Sequence, residues 1–232
     1  MTAAMTAPGA GPETAPMAVP TTAPITASAP RTVVLAVHYQ NDVLHRDGKV
    51  RVGLSADMDE ERARVVERAS ALLAGARAHG MAVVSARAAY REDGADVIQN
   101  CAIFRNVVSS GVLRDGTWGC AFHDGLGPVD GEFVVKHTRV NAFYGSPLEE
   151  VLRLLGATRL IIAGISTHSA VEHAARHAAD IGYDVIVAED ACCSATRATH
   201  EASLSSMSLI ATIMTTAQAV AVLAEESAHA RH

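Results

Sequence analysis

The residues of this chain best suited to chemistry stand where short apolar runs end. His38-Tyr39-Gln40 follows TVVLAV, Arg87-Ala88 follows MAVVSA, Lys136-His137 ends FVV, and Gly164-Ile165-Ser166 follows LIIA. An imidazole titrates near pH 6.5 and can give or take a proton at neutral pH, so His38 is a candidate general acid or base. Arg87 and Tyr90 could hold a substrate carboxylate, and a surface-loop role fits them equally well. His173 and His177 are spaced i, i+4, as paired metal ligands are, but no third ligand is evident. Helix packing is the expectation for both, and no metal site is expected. The four cysteines, Cys101, Cys120, Cys192 and Cys193, lack paired C-x-x-C spacing and read as free thiols of a reducing, cytoplasmic compartment. Neither G-x-G-x-x-G nor G-x-x-x-x-G-K-[ST] occurs, so no nucleotide cofactor is expected.

The elements that must position these residues alternate. Strands are expected at Thr32–Val37, Met81–Ala86, Phe133–Lys136, Leu160–Ala163, Asp184–Ala188 and Ile210–Met214. Helices are expected at Ser55–His79, Pro147–Leu155, Ser169–Ile181, Thr196–Met207 and Ala217–Ser227, three of them closed by Gly80, Gly156 and Gly182. Residues 87–131 show no clear period. Six strands alternating with helices predict a single three-layer α/β domain, a mainly parallel sheet with helices on both faces. In such sheets ligands bind beyond the carboxyl ends of the strands, where the polar residues above lie.

Composition narrows the function classes. Hydrophobic residues make up 49% of the 232, enough for a substantial core. Nineteen Lys+Arg against 25 Asp+Glu give a net charge of -6, and aromatics are only 4%, so neither a phosphate-neutralising surface nor base-stacking platforms are at hand. A nucleic-acid partner is not expected, nor is a membrane span, since no apolar run approaches the roughly 20 residues required. Residues 1–30 hold six of the eight prolines and one charged side chain, Glu13. That segment reads as a flexible tail with polyproline character, and residues 31–232 as the domain.

Four segments carry a family resemblance: VVLAVHYQNDVL, FVVKHTRVNAFYGSPLEEVL, LIIAGISTHSAVEHAARHAADIGYDVIVAEDACCS and IATIMTTAQAV. In this order and spacing, over about residues 32–225, the chain resembles the isochorismatase-like superfamily, which includes isochorismatases, nicotinamidases and N-carbamoylsarcosine amidohydrolases. The resemblance implies strand order 3-2-1-4-5-6 and a homo-oligomer. The amidohydrolases of the family use an Asp–Lys–Cys triad. Aligning Gln40-Asn41-Asp42 on the family's Q-N-D places His38 at the aspartate position, and aligning Gly164 and Thr167 on the elbow places Ala170 at the cysteine position. Lys136 is read as the retained lysine. Alanine cannot form a thioester, so that route is closed. Ser166 and Ser169 could offer a hydroxyl, though neither occupies the nucleophile position. Isochorismatases also lack the cysteine, and His168 matches a histidine of their elbow.

The resemblance further implies a cis peptide at Ile165–Ser166, with the Ser166 and Ala170 amides forming an anion hole. A lysine beside His38 would disfavour the imidazolium and make His38 a general base, with Lys136 stabilising negative charge. Gln40, Arg87, Tyr90, Trp118, Phe143 and His168 are the candidate substrate-binding residues, with Tyr144 a further pocket wall; Phe143 fits the core equally. Asp42 and Asp190 read as structural. The implied function is a cofactor-independent hydrolase or lyase acting on a small carboxylated or carbonyl-bearing metabolite. The alternative is a catalytically silent member that binds a small ligand or serves as a partner subunit.

Overall fold

The computed structural model describes residues 31–50 and 59–229. The expected tail and the first residues of the helix expected from Ser55 lie outside the described residues. Six strands form one sheet in the order β3-β2-β1-β4-β5-β6, all parallel: β1 Thr32–Val37, β2 Ala82–Ala88, β3 Phe133–His137, β4 Arg159–Gly164, β5 Asp184–Ala188 and β6 Thr212–Met214. The helices are α1 Asn41–Leu44, α2 Asp59–Ala78, α3 Ala102–Ser110, α4 Leu148–Leu154, α5 Glu172–Asp180, α6 Arg197–Met207 and α7 Thr216–His229. The chain crosses from β1 to β2 in one direction and from β4 to β5 in the other, and right-handed crossovers then put α2 and α5 on opposite faces of the sheet. α7 packs beside α2.

β1 is apolar and β-branched because it is central: all six of its residues are buried. It pairs with β2 on one side and β4 on the other, and the strand order reverses between β1 and β4. The crevice beyond their carboxyl ends is therefore the switch point of the sheet. Val37 and Gly164 are the last registered pair, so His38 and Ile165 enter that crevice side by side. The two backbones meet closely there. A Cβ on Gly164 would lie 2.1 Å from the Val37 carbonyl oxygen, which is backbone and cannot swing aside. Both aspartates expected to be structural are buried or bonded into joints. Asp42 accepts hydrogen bonds from the Leu113 and Lys49 amides, and Asp190 accepts from the Thr216 amide and hydroxyl at the start of α7.

Besides shifts of one or two residues at the ends of other elements and the short α1, three differences from expectation bear on the site. α3 lies inside residues 87–131, where no period was evident; it is nine residues long and buries only Phe104 and Val107, too short a stripe to stand out. The helix expected from Ser169 begins instead with a π-helical turn at Thr167–Val171, in which the Val171 amide donates to the Ser166 carbonyl, before α5 continues. β3 runs one residue past its expected end and includes His137.

Replacing Gly164 by alanine should lower the free energy of unfolding by at least about 2 kcal/mol, because the overlap is with backbone. Urea denaturation of the variant beside the wild type measures it; an unchanged midpoint would contradict the close approach.

Candidate active site

His38 is the first residue past β1 and holds a left-handed backbone conformation, φ +57°, rare for a residue with a Cβ. Its amide donates to the Ala86 carbonyl at 2.9 Å, which turns the chain across the end of β2. Its imidazole Nε2 lies 2.8 Å from Nε2 of His137, with the two rings 20° from parallel and their centroids 4.8 Å apart. His137 Nδ1 is 2.8 Å from the Arg139 carbonyl oxygen, which can only accept, so Nδ1 carries the proton. In neutral His137 the Nε2 is then a lone pair, and the proton between the two rings belongs to His38. The Ile165 carbonyl is a second acceptor for the His38 ring, so one imidazole proton serves two acceptors.

Burial, then the neighbouring His137, holds the His38 imidazole well below the ordinary histidine range; the Ile165 carbonyl opposes this by favouring the protonated form. Burial brings His137 down to about 4, against the opposing pull of the Arg139 carbonyl. Both rings are neutral at pH 7.

The expected juxtaposition of His38 with Lys136 is not what the fold provides. Successive side chains of a strand point to opposite faces. In β3, Val135 and His137 are buried while Val134 and Lys136 are exposed. Lys136 Nζ donates to Asp115 at 2.9 Å, and Arg87, its registered partner in β2, pairs with the same carboxylate at 3.1 Å. Arg87 and Lys136 thus share the face opposite Ala88 and His137. The lowering of the His38 pKa comes from burial and His137, with no part from Lys136.

His38 lines a cavity of about 80 Å³ together with Ser166, Ser169, Ala170 and Tyr90; its other walls are chiefly Ala88, Phe104, Val107, Leu113 and Ile165. The Ile165–Ser166 peptide is cis. The elbow that follows is tied down from behind: the Thr167 amide donates to the Cys193 carbonyl, the Thr167 hydroxyl meets His200 Nδ1 at 2.8 Å, and the Ser166 hydroxyl meets His168 Nδ1 at 2.7 Å. His168 also meets the Ser194 hydroxyl at 2.9 Å, so it supports the elbow from outside the cavity.

The other sequence candidates stand apart from this cavity. Gln40 is fully buried, its amide clasping both backbone groups of Ala88 and the Cys120 carbonyl. Trp118 is 54% exposed and packs edge-on against His45. Phe143 is buried against His177, with ring centroids 4.6 Å apart, and Tyr144 is 67% exposed. His177 also meets Asn141, and His173 donates to the Ser169 carbonyl, so both are engaged in packing. No cysteine lines the cavity, and burial pushes the Cys192 and Cys193 thiols up to about 12, far from thiolate character. Among the described residues no group of three or more His, Cys, Asp or Glu side chains is placed to hold a metal ion, and no helix is long and apolar enough to cross a membrane.

Two residues on the cavity side were missed from the sequence, His137 and Arg139. The signal for His137 was the period of two in β3, but Val134 and Val135 are the same residue type and left the phase undetermined.

An open parallel sheet with its polar residues gathered at the switch point defines the class. A family model described as the isochorismatase domain matches residues 32–218, and the chain belongs to the isochorismatase family. It is 31% identical over 176 residues to the ureidoacrylate amidohydrolase RutB of Methylorubrum extorquens, covering 70% of each chain. It is 33% identical over 140 residues to the isochorismatase family protein YecD of Escherichia coli O157:H7, covering 60% of this chain and 72% of that one. Among solved structures, an isochorismatase family protein from Desulfovibrio vulgaris superposes with a TM-score of 0.74 at 27% identity, covering 84% of this chain and 99% of the other.

The neutral imidazoles link folding to pH. His137 has its folded pKa, about 4, below the 6.5 of an unperturbed histidine. Above pH 6.5 neither state binds the proton. Between about 6.5 and about 4 the unfolded chain takes up a proton that the folded chain refuses, so stability falls as pH falls. His137→Gln should therefore show a shallower loss of urea midpoint than the wild type between pH 7 and pH 4.5, and parallel curves would refute a buried neutral imidazole.

Proposed function

We propose that the chain is a cofactor-independent hydrolase or lyase of small metabolites that uses a histidine pair instead of a cysteine nucleophile. The observation that carries this reading is the 2.8 Å contact between His38 and His137 at the switch point, with His38 lining the cavity in a left-handed backbone conformation. Strained conformations of this kind cluster at functional sites.

In this mechanism the neutral His38 imidazole takes a proton from water and the resulting hydroxide adds to a carbonyl carbon of the substrate. His137 holds the His38 ring through the Nε2 contact, as the orienting member of a catalytic pair does. The new oxyanion is met by the backbone N–H groups of Ser166 and Ala170 in the first turn beyond β4, where amide protons are not yet used by the helix. When the tetrahedral intermediate collapses, the proton held by His38 passes to the leaving group and the neutral pair is restored. Burial keeps the pair uncharged at rest, so it is ready as a base and unsuited to delivering a proton first. A carbonyl substrate fits that order better than a vinyl ether that must be protonated at carbon. Ureidoacrylate, which the RutB relative is named for, is a substrate of the favoured kind.

The test is consumption of ureidoacrylate and, separately, of isochorismate by purified protein. The expected result is turnover of the carbonyl substrate with a rate that stays flat from alkaline pH through 6.5 and falls only well on the acid side of it, where protonating His38 removes the base. His38→Asn and His137→Asn should each lower kcat/KM by about 100-fold or more. Lys136→Met should leave it within about twofold, because that side chain lies on the other face of β3 and loses only an exposed ion pair. Robust turnover of isochorismate, or activity lost with Lys136 and kept without His137, would overturn the assignment.

A further inference from the structure

One charged side chain other than the histidine lines the cavity, and the mechanism above does not use it. Arg139 follows β3 by two residues and is half-buried. Its guanidinium is held in place from three directions: Nη1 donates to the Ile98 carbonyl at 3.1 Å, Nη2 donates to Asn100 Oδ1 at 2.9 Å, and Cζ sits 3.6 Å over the ring of Phe104. These partners use two of its five N–H donors, and none of them carries a negative charge. Among the described residues no carboxylate lies within ion-pair distance of Arg139, and no acidic side chain lines the cavity.

Other arginines of the chain behave differently. Arg77, Arg91, Arg159 and Arg176 each bind a carboxylate directly. A guanidinium oriented by neutral groups, over an aromatic ring, at an apolar cavity without an acid among the described residues, is arranged to take an anion from outside the chain. Tyr90 stands beside it. Tyr90 lines the same cavity and feels the Arg139 charge, yet burial raises its pKa to about 12, so its hydroxyl stays a neutral O–H donor. Asp96, the acid nearest to Tyr90 in effect, is occupied in accepting from the Arg91 amide at 3.1 Å.

We propose that Arg139, with the Tyr90 hydroxyl, is the carboxylate anchor of this cavity, and that the cavity selects short, apolar monocarboxylates. The walls set the remainder of the ligand: Val43, Val107, Leu113 and Val140 offer no hydrogen-bonding side chains, so the group they enclose is aliphatic or unsaturated and carries no charge. Its size is limited too. An apolar cavity of about 150 Å³ takes a benzene ring, and about 80 Å³ suits an apolar part of about three to five carbons. The inference rests on reading this cavity as the active site only for where the ligand reacts; its binding is independent of turnover.

The experiment therefore reads binding alone, by ligand-observed NMR titration of the full chain with isobutyrate and with isobutyramide, which has nearly the same shape and no charge. Wild-type protein should bind isobutyrate about tenfold or more tightly than isobutyramide. Arg139→Met should abolish that preference by weakening the acid and leaving the amide unchanged, while Arg139→Lys keeps part of it because the charge remains without the planar fork. Equal affinity for acid and amide in the wild type, or no binding of either, overturns the proposal without recourse to any variant. Unchanged acid affinity in Arg139→Met does the same. Acid binding in a protein that turns nothing over would leave the anchor standing and the histidine mechanism refuted. A neutral preference with active turnover would do the reverse.

Discussion

Everything at the site depends on how tightly β4 lies against β1 where the strand order reverses. Only a glycine at position 164 lets the two backbones close to the distance seen, with the Val37 carbonyl where a Cβ would be. That contact sets His38 beside Ile165, and the left-handed turn at His38 then aims its ring across the end of β2 toward β3. On the other flank the π-helical turn carries Ser166 and Ala170 to the same cavity. The two strand ends that diverge at the switch point therefore bring His38, Ser166 and Ala170 to one cavity. Helices packed on both faces keep them from relaxing.

The second constraint is the phase of β3. A strand offers one face or the other at each position, and the choice places an imidazole instead of an ammonium next to His38. The electrostatic consequence is large. An ammonium near His38 would supply a fixed positive charge for a developing oxyanion. A buried neutral imidazole supplies none, and its influence is on orientation. In the proposed mechanism charge stabilisation then falls to backbone dipoles at the elbow, and in the proposed binding mode an anionic group meets Arg139, whose guanidinium is positioned by neutral partners. Lys136 remains in a small exposed cluster with Arg87 and Asp115, worth little in water.

The family supplies the setting, and the proposed chemistry differs from its cysteine-based route at the reacting residues. Its relatives include an enzyme named as an amidohydrolase, and its fold matches solved isochorismatase family structures along most of its length. With alanine on the elbow and no cysteine at the cavity, covalent catalysis at that step has no nucleophile. Direct attack by water is the simplest chemistry that a neutral base and two amides can carry.

Strand identity and order were legible in the sequence because central parallel strands are continuous apolar runs bounded by glycines. The ranges Thr32–Val37 and Asp184–Ala188 were read to the residue, and the six-stranded order came from the quoted motifs. That His38, Ser166, Ala170 and Tyr90 gather at one cavity was legible as well, since each follows a strand and residues at those ends converge on a switch point. The helix at Ala102–Ser110 was not, because two buried residues in nine make no visible period. Nor was the true partner of His38. Lys136 and His137 are neighbours in the chain, the valines before them are identical in type, and sequence carries no mark of which one a strand turns inward. Only pairing with β2, Arg87 against Lys136 and Ala88 against His137, fixes that choice, and with it the charge of the site. Arg139 was hidden for a related reason: what suggests an anchor is the absence of an acid beside it among the described residues, and that is a property of packing between residues about 40 positions apart.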